Sequence, residues 1–386
     1  MTLSVVRDLS EGTEAVRMLI FMFLPLFVIA DWLLPLPLPL LVKPGCAVLI
    51  IVAALYHFWC RCSSGSVFAP EFPRPVVILF NWGFGTLVFL FLFQLLLDGG
   101  VVVAAVVKGP WLHIPPVVRI AAGGFAGFLA AFALVNALRV PPVEDVTVVI
   151  PGLDKAFDGY TLLQLSDLHI SRLFPRTWTE AVTERANAAQ ADMIVITGDF
   201  IDGSVAMRRD DIAPLSNLSA PDGVLAVPGN HEYFFDYDAW MKHLSSLGFK
   251  MLLNSHDTVK RGDARLVIAG VTDRSASGHH LAGPDPEAAL AGKPADAPVI
   301  LLDHQPGEAH NAAERGVALQ LSGHTHGGML PLLSWLVARG NNGFVSRRYQ
   351  IGGMTLYVSN GTGLWPGFAL RLGVPSEMTR FRLRCA

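Results

Sequence analysis

Val76–Leu97 carries no charged residue and only two amides, Asn81 and Gln94. A run of that length and polarity has few folded options. In hydrocarbon every backbone N–H and C=O must be satisfied within the segment, so about 20 such residues form a membrane-crossing helix. Val117–Leu138 is a second such run, with Arg119 near one end and Asn136 near the other. Met18–Leu34 reads as a third, ending where Pro35, Pro37 and Pro39 forbid regular helix. Asp31 interrupts it and is placed at an interface beside Trp32. Cys46–Cys60 is short but reads as a fourth, with His57, Trp59 and Arg61 at the interface. Val101–Val107 is too short to cross. The expectation is a membrane region over residues 1–140 with about four transmembrane helices, three or five being the alternatives. A cleaved signal peptide is the rival for the first segment, but no small-residue cleavage site follows it.

Composition agrees. Charged residues make up 16% of the chain and hydrophobic ones 52%, where about a quarter charged is usual. The apolar excess lies before residue 140. A net charge of −3 is too small to point to a nucleic-acid partner. Three of Cys46, Cys60, Cys62 and Cys385 lie in or beside apolar segments, none lies near the histidine and carboxylate clusters of the second half, and they read as free thiols. With four spans, Arg7, Arg17, Arg61, Arg74 and Arg139 share a side with the C-terminal part, against Lys43, Lys108 and Arg119. That bias places the C-terminal part in the cytoplasm of an inner (cell) membrane, a bacterial one by expectation. Gly123 and Gly127 have a spacing that permits close helix approach, although an ordinary glycine-rich span explains them as well.

At Arg139-Val140-Pro141-Pro142 the character changes: charges appear and strand-like and helix-like runs alternate. Strands are expected at 146–150, 161–165, 193–197, 224–227, 266–269, 299–302, 317–321, 355–358 and 378–383, with helices at 177–190, 237–247 and 306–315. Such alternation argues for an α/β layered fold. Five short clusters follow strand-like runs: Ser166-Asp167-Leu168-His169, Gly198-Asp199-Phe200-Ile201-Asp202, Gly229-Asn230-His231-Glu232, Asp303-His304 and Gly323-His324-Thr325-His326. All offer oxygen or imidazole donors and none offers thiolate. Such sets suit Mn, Fe, Zn or Ni, and two ions sharing a carboxylate are the equipment for hydrolysing a phosphate ester. His324-Thr325-His326 is expected to be extended, so that alternate imidazoles point the same way.

In this order the clusters resemble the calcineurin-like metallophosphoesterase superfamily, with its pattern D-x-H, G-D-x-x-D, G-N-H-[DE], H, G-H-x-H. The resemblance covers about residues 144–386. Ala156–Tyr160, Gly323–Gly328 and the ending from Gly361-Thr362-Gly363 through Pro375-Ser376-Glu377 are similar to its membrane-anchored YkuE-like subgroup. It implies an α/β sandwich of two sheets flanked by helices, with two divalent ions. Asp167, His169 and His326 would hold the first ion, Asn230, His304 and His324 the second, and Asp199 would bridge both. His231 would stabilise or protonate the leaving oxygen, with its ring oriented by Asp202. Asp303 is expected to cap a helix or support the ligands, and Asp273 to serve either a turn or the site. His243, His256, His279, His280 and His310 are expected at the surface.

The chain departs from the pattern at Met329, where related sequences often have Gln. Leu330–Val337 then reads as an apolar loop beside the site, either core or a lip that touches membrane or an acyl chain. Trp365–Phe368 reads as a second lip. The expected function is a membrane-anchored dinuclear phosphohydrolase acting on a lipid-linked phosphate ester or pyrophosphate, such as a phospholipid or UDP-diacylglucosamine. The alternative is a membrane sensor or scaffold whose phosphoesterase domain binds a ligand without turnover.

Overall fold

A computed structural model describes residues 22–386. Arg7, Arg17 and the start of the first expected span lie outside them. The chain forms two compact units, one ending at Val135 and the other running from Asn136 to Ala386.

In the first unit, Arg74–Lys108 and Pro116–Leu138 are each long and apolar enough to cross a membrane. Arg74–Lys108 has 35 residues and is therefore about 50 Å long. It absorbs Val101–Val107, which the sequence left outside any span. The span expected over Cys46–Cys60 falls on two helices, Lys43–Ala54 and Tyr56–Ser64, bent by 57° at the break. Met22–Leu33 is a shorter apolar helix. Among the described residues the count is thus two crossing helices, or three if the bent pair is one span. Gly123 seats the Trp32 ring, since a Cβ there would lie 2.5 Å from it. The Gly127 carbonyl accepts from Trp82 Nε1 at 2.9 Å.

The second unit contains twelve strands: β1 (Val143–Ile150), β2 (Thr161–Leu165), β3 (Met193–Thr197), β4 (Val224–Val227), β5 (Lys250–Met251), β6 (Ser255–Arg261), β7 (Ala264–Gly270), β8 (Val299–Leu302), β9 (Leu319–Ser322), β10 (Arg347–Ile351), β11 (Met354–Val358) and β12 (Met378–Cys385). They make two six-stranded sheets, ordered β1-β12-β2-β3-β4-β5 and β10-β11-β9-β8-β7-β6. The expected α/β sandwich, two sheets flanked by helices, is what forms. β2 to β5 are parallel neighbours, as are β7, β8, β9 and β11. Val195, Leu225 and Val227 of one sheet pack with Ile268, Ile300, Leu302 and Leu321 of the other. The outer face of the second sheet packs Val267, Val299 and Leu301 against Ala309, Ala312 and Phe344. Strands covered on both faces are largely apolar, and this is why β3, β4 and β8 read as apolar runs, while the buried amides Gln164 of β2 and Gln320 of β9 are hydrogen-bonded. Each such fully buried aliphatic side chain contributes about 1.5–3 kcal/mol. Parallel order sends β2, β3, β4, β8 and β9 out of the sandwich at one end, and the five clusters begin there.

Candidate metal centre

The loops after β2, β3 and β4 come from one sheet and those after β8 and β9 from the other. The first two are knitted by backbone: Asp167 N–H donates to Gly198 O and His169 N–H to Asp199 O, both at 3.0 Å. Gly198 and Gly229 let these loops touch, since a Cβ on Gly229 would sit 2.2 Å from Asp199 Oδ1. Asp167, His169, Asp199, His324 and His326 have φ between 45° and 70°. Side-chain-bearing residues seldom adopt that left-handed region, and such strain gathers where the surrounding structure imposes a functional geometry.

Three donor groups converge: Asp167, His169 and His326; His169, Asp199 and His231; and Asp199, His304 and His324. Asp199 stands at the centre. Its Oδ2 lies 3.3 Å from His304 Nε2, 3.7 Å from His169 Nε2 and 3.9 Å from His231 Nε2. On one side His326 Nε2 is 3.2 Å from His169 Nε2 and 3.7 Å from Asp167 Oδ1. On the other, Asn230 Oδ1 is 2.8 Å from His324 Nδ1 and 3.1 Å from His304 Nε2. The extended conformation expected for residues 324–326 does not occur. Thr325 is helical between two left-handed histidines, and its hydroxyl donates to Val345 O at 2.7 Å. The two imidazoles therefore diverge, one to each side of Asp199.

Several partners fix the rings. His304 Nδ1 donates to Thr197 O at 2.7 Å, which leaves Nε2 as the nitrogen that faces Asp199. Asp202, fully buried, serves two rings: Oδ1 is 2.5 Å from His231 Nδ1 and Oδ2 is 3.1 Å from His169 Nδ1. The family pattern implies a role for it toward His231 alone.

The electrostatics fit a cation at the centre. Burial would raise the Asp199 carboxyl, but His304 and His231 outweigh it and hold it well below the carboxylate range. Burial, then the charge on His304, drives His324 down to about 3. Burial and His169 push His326 well below the imidazole range. Both therefore keep lone pairs free for a metal. Burial opposes a proton on His231 and His304, but Asp199 overrides it in both, taking His231 up to about 9 and His304 well above its ordinary value. Without metal, imidazolium charge offsets the carboxylates. A divalent ion would take over that role and displace the His304 proton, whereas His231, held by Asp202, is placed to keep one.

Glu232 belongs to the third motif, but the sequence assigns it no role. It is fully buried and accepts from Gly229 N at 2.6 Å, Phe200 N at 2.8 Å and Asp199 N at 3.1 Å, clasping two motif loops together. Its position, the acidic fourth residue of Gly-Asn-His-Glu, was the available signal. Phe234 was also missed: it is 41% exposed, with its ring 5.1 Å from His231 and 6.4 Å from His279. Asp273 takes its turn role, accepting from Ser275 N at 2.7 Å, and its carboxylate also holds Gln305. The helical turns after Asp303 have no side-chain cap at their own N-cap residues, and the Asp303 carboxyl accepts from Gln305 N–H just ahead of them. It is driven up to about 7 by burial and the charge of Asp273. The apolar loop expected after Met329 is a helix, Pro331–Gly340, with proline in its first turn. On it Trp335 and Leu336 are 58% and 56% exposed. In the second expected lip, Pro366 and Gly367 are buried.

The calcineurin-like phosphoesterase family matches residues 160–328. A transmembrane protein with metallophosphoesterase domain from Danio rerio is 34% identical over 273 residues, 67% of this chain and 61% of that protein. A metallophosphoesterase of Helicobacter pylori (strain J99) is 32% identical, over 64% of this chain and 65% of its own length. The metallophosphoesterase YkuE of Bacillus subtilis is 32% identical, over 59% of this chain and 80% of its own. The chain belongs to the calcineurin-like metallophosphoesterase family. It spans a little over three fifths of the first two relatives, 61% and 65%.

Proposed function

We propose that the chain is a membrane-anchored, dinuclear-metal phosphohydrolase acting on a lipid-linked phosphate ester or pyrophosphate. The observation that carries this reading is Asp199, a buried carboxylate shared by two of the three overlapping donor groups. Asp167, His169 and His326 would hold one ion, Asn230, His304 and His324 the other, and Asp199 both. Bound there, two divalent ions of Mn, Fe, Zn or Ni supply Lewis acidity toward phosphoryl oxygens and toward water. His231 Nε2 points at the same centre, and Asp202 holds its far nitrogen. The ring is thus placed to give its proton to the departing oxygen.

Residues 1–140 would anchor residues 144–386 in a cell membrane, with the catalytic part on the cytoplasmic side. The lipid reading rests on the crossing helices and on exposed Trp335 and Leu336. A phospholipid or a UDP-diacylglucosamine-like pyrophosphate fits it. The test uses the full chain in detergent, loaded with each metal and assayed on a lipid-phosphate panel and on bis-p-nitrophenyl phosphate. Two ions bound without phosphoester cleavage on any substrate would overturn the hydrolase reading in favour of a ligand-binding sensor.

A further inference from the structure

The ending from Gly361 to Glu377 has no role so far, yet it lies directly behind one half of the centre. Thr362 N–H donates to Ser166 O at 2.7 Å and Gly363 N–H to Asp167 O at 2.9 Å. The fit leaves no space: a Cβ on Gly361 would be 3.0 Å from Asp167 Cβ and 3.1 Å from His326 Nδ1. A Cβ on Gly363 would be 2.2 Å from Leu168 O.

Two charged residues hold this loop from behind. Glu377, fully buried, accepts from Asn360 N at 2.7 Å and Tyr357 OH at 3.0 Å. Arg371 is 1% exposed. Its Nη2 donates to Asn360 O at 2.5 Å and Gly363 O at 2.9 Å. Its Nη1 donates to His326 O at 3.2 Å and Val374 O at 3.5 Å. These acceptors are all carbonyls. A buried guanidinium held in this way costs desolvation that carboxylate pairing would offset, so its retention asks for a reason.

His326 supplies one. A metal-ligating imidazole is normally oriented by a hydrogen bond on its other nitrogen. His169, His231 and His304 have such partners on Nδ1. His326 Nδ1 is buried without one and abuts Gly361 instead. The His326 ring is therefore set through its main chain, by Arg371 on its carbonyl and by the Gly361 backbone against its ring.

We infer that Arg371 is the positioning residue of the Asp167–His169–His326 half of the centre, fixing His326 and the Gly361–Gly363 loop as one unit. The inference rests on the two-ion reading of the site. It makes the planar fork essential: Lys keeps the charge but cannot reach carbonyls on both sides. Asn230, His304 and His324 have no contact with Arg371 that would carry the same effect.

The test is Mn2+ titration of metal-stripped full-length protein by calorimetry, with His326→Ala and His324→Ala assigning the two binding steps. Arg371→Met and Arg371→Lys should each weaken the step lost in His326→Ala by about 10–100-fold, the usual effect of removing such a support. The other step should stay within about 3-fold. Gly361→Ala, which leaves Arg371 in place, should weaken the same step. Equal weakening of both steps, or full rescue by Lys, would overturn the inference. Selective loss in a protein whose wild type cleaves no ester would support the inference and overturn the hydrolase reading.

Discussion

Gly229→Ala is a one-methyl probe of the bridging carboxylate. Gly229 has φ −105°, which alanine adopts freely, so the perturbation is steric. The added Cβ would lie 2.2 Å from Asp199 Oδ1 and 2.5 Å from Asp199 N. Ordinary contact begins near 3.4 Å, so Asp199 and its loop must retreat by about 1 Å. Glu232, which ties Gly229 to Asp199 and Phe200, resists that movement. Overpacking of this kind costs about 1–3 kcal/mol of stability. A displacement of about 1 Å in a reacting group lowers turnover about 10²-fold. Gly353→Ala is the control, because nothing lies within 4 Å of a Cβ there. Turnover of bis-p-nitrophenyl phosphate and metal content by mass spectrometry are the assays. Gly229→Ala protein with two ions and wild-type turnover would refute the reasoning that Asp199 is held at a fixed position by close loop packing.

Further outcomes are expected. His231→Ala should keep both ions and lose about 10²–10⁴ in turnover; loss of metal content instead would make His231 a ligand. Replacing exposed Trp335 and Leu336 with Ser should lower activity on an acylated phosphate in mixed micelles and spare a small p-nitrophenyl ester; equal losses on both would make the helix structural. In metal-free protein, burial and then Asp199 push Glu232 from 4.5 up to about 8. The stability it contributes is therefore full below its unfolded value and is lost as pH rises through about 8. Glu232→Gln should remove that slope, as read from urea midpoints across the range. A reporter fused after Ala386 should lie in the cytoplasm, and a cysteine placed near Lys43 should label from outside; the opposite pattern would exclude cytoplasmic nucleotide-linked lipids as substrates.

The strands that build the sandwich were legible because covered strands are largely apolar. β3, β4, β8 and β11 were located to the residue or nearly so. β6 and β10, edge strands rich in charge and amide, were missed, as was the two-residue β5. Edges carry polar residues to discourage further pairing, which erases the apolar signal. The donors that gather at the centre were legible because five motifs share one order. Their conformation was not. Nothing in His324-Thr325-His326 announces two left-handed residues, whose backbone is held by side chains from distant loops, Asp167 on His324 N–H and Arg371 on His326 O. Asp202 serving two rings, Glu232 clasping two loops and Arg371 reaching three carbonyl-bearing segments are likewise products of chain reversal, invisible to local pattern. The helix over Pro331–Gly340 reads as an apolar loop in the sequence, although proline in its first turn and its leucines both favour helix.

The left-handed backbone at Asp167, His169, Asp199, His324 and His326 has an evolutionary consequence. Each such residue costs about 1–2 kcal/mol relative to ordinary helix handedness. Glycine would remove that cost and, at most of these positions, a desolvated titratable group as well. Five such sites approach the whole margin by which a domain stays folded, about 5–15 kcal/mol. A library sorted only for folded, well-expressed protein in the absence of metal should therefore drift toward glycine at these five positions first. Their side chains persist against that pull only while ion binding is under selection.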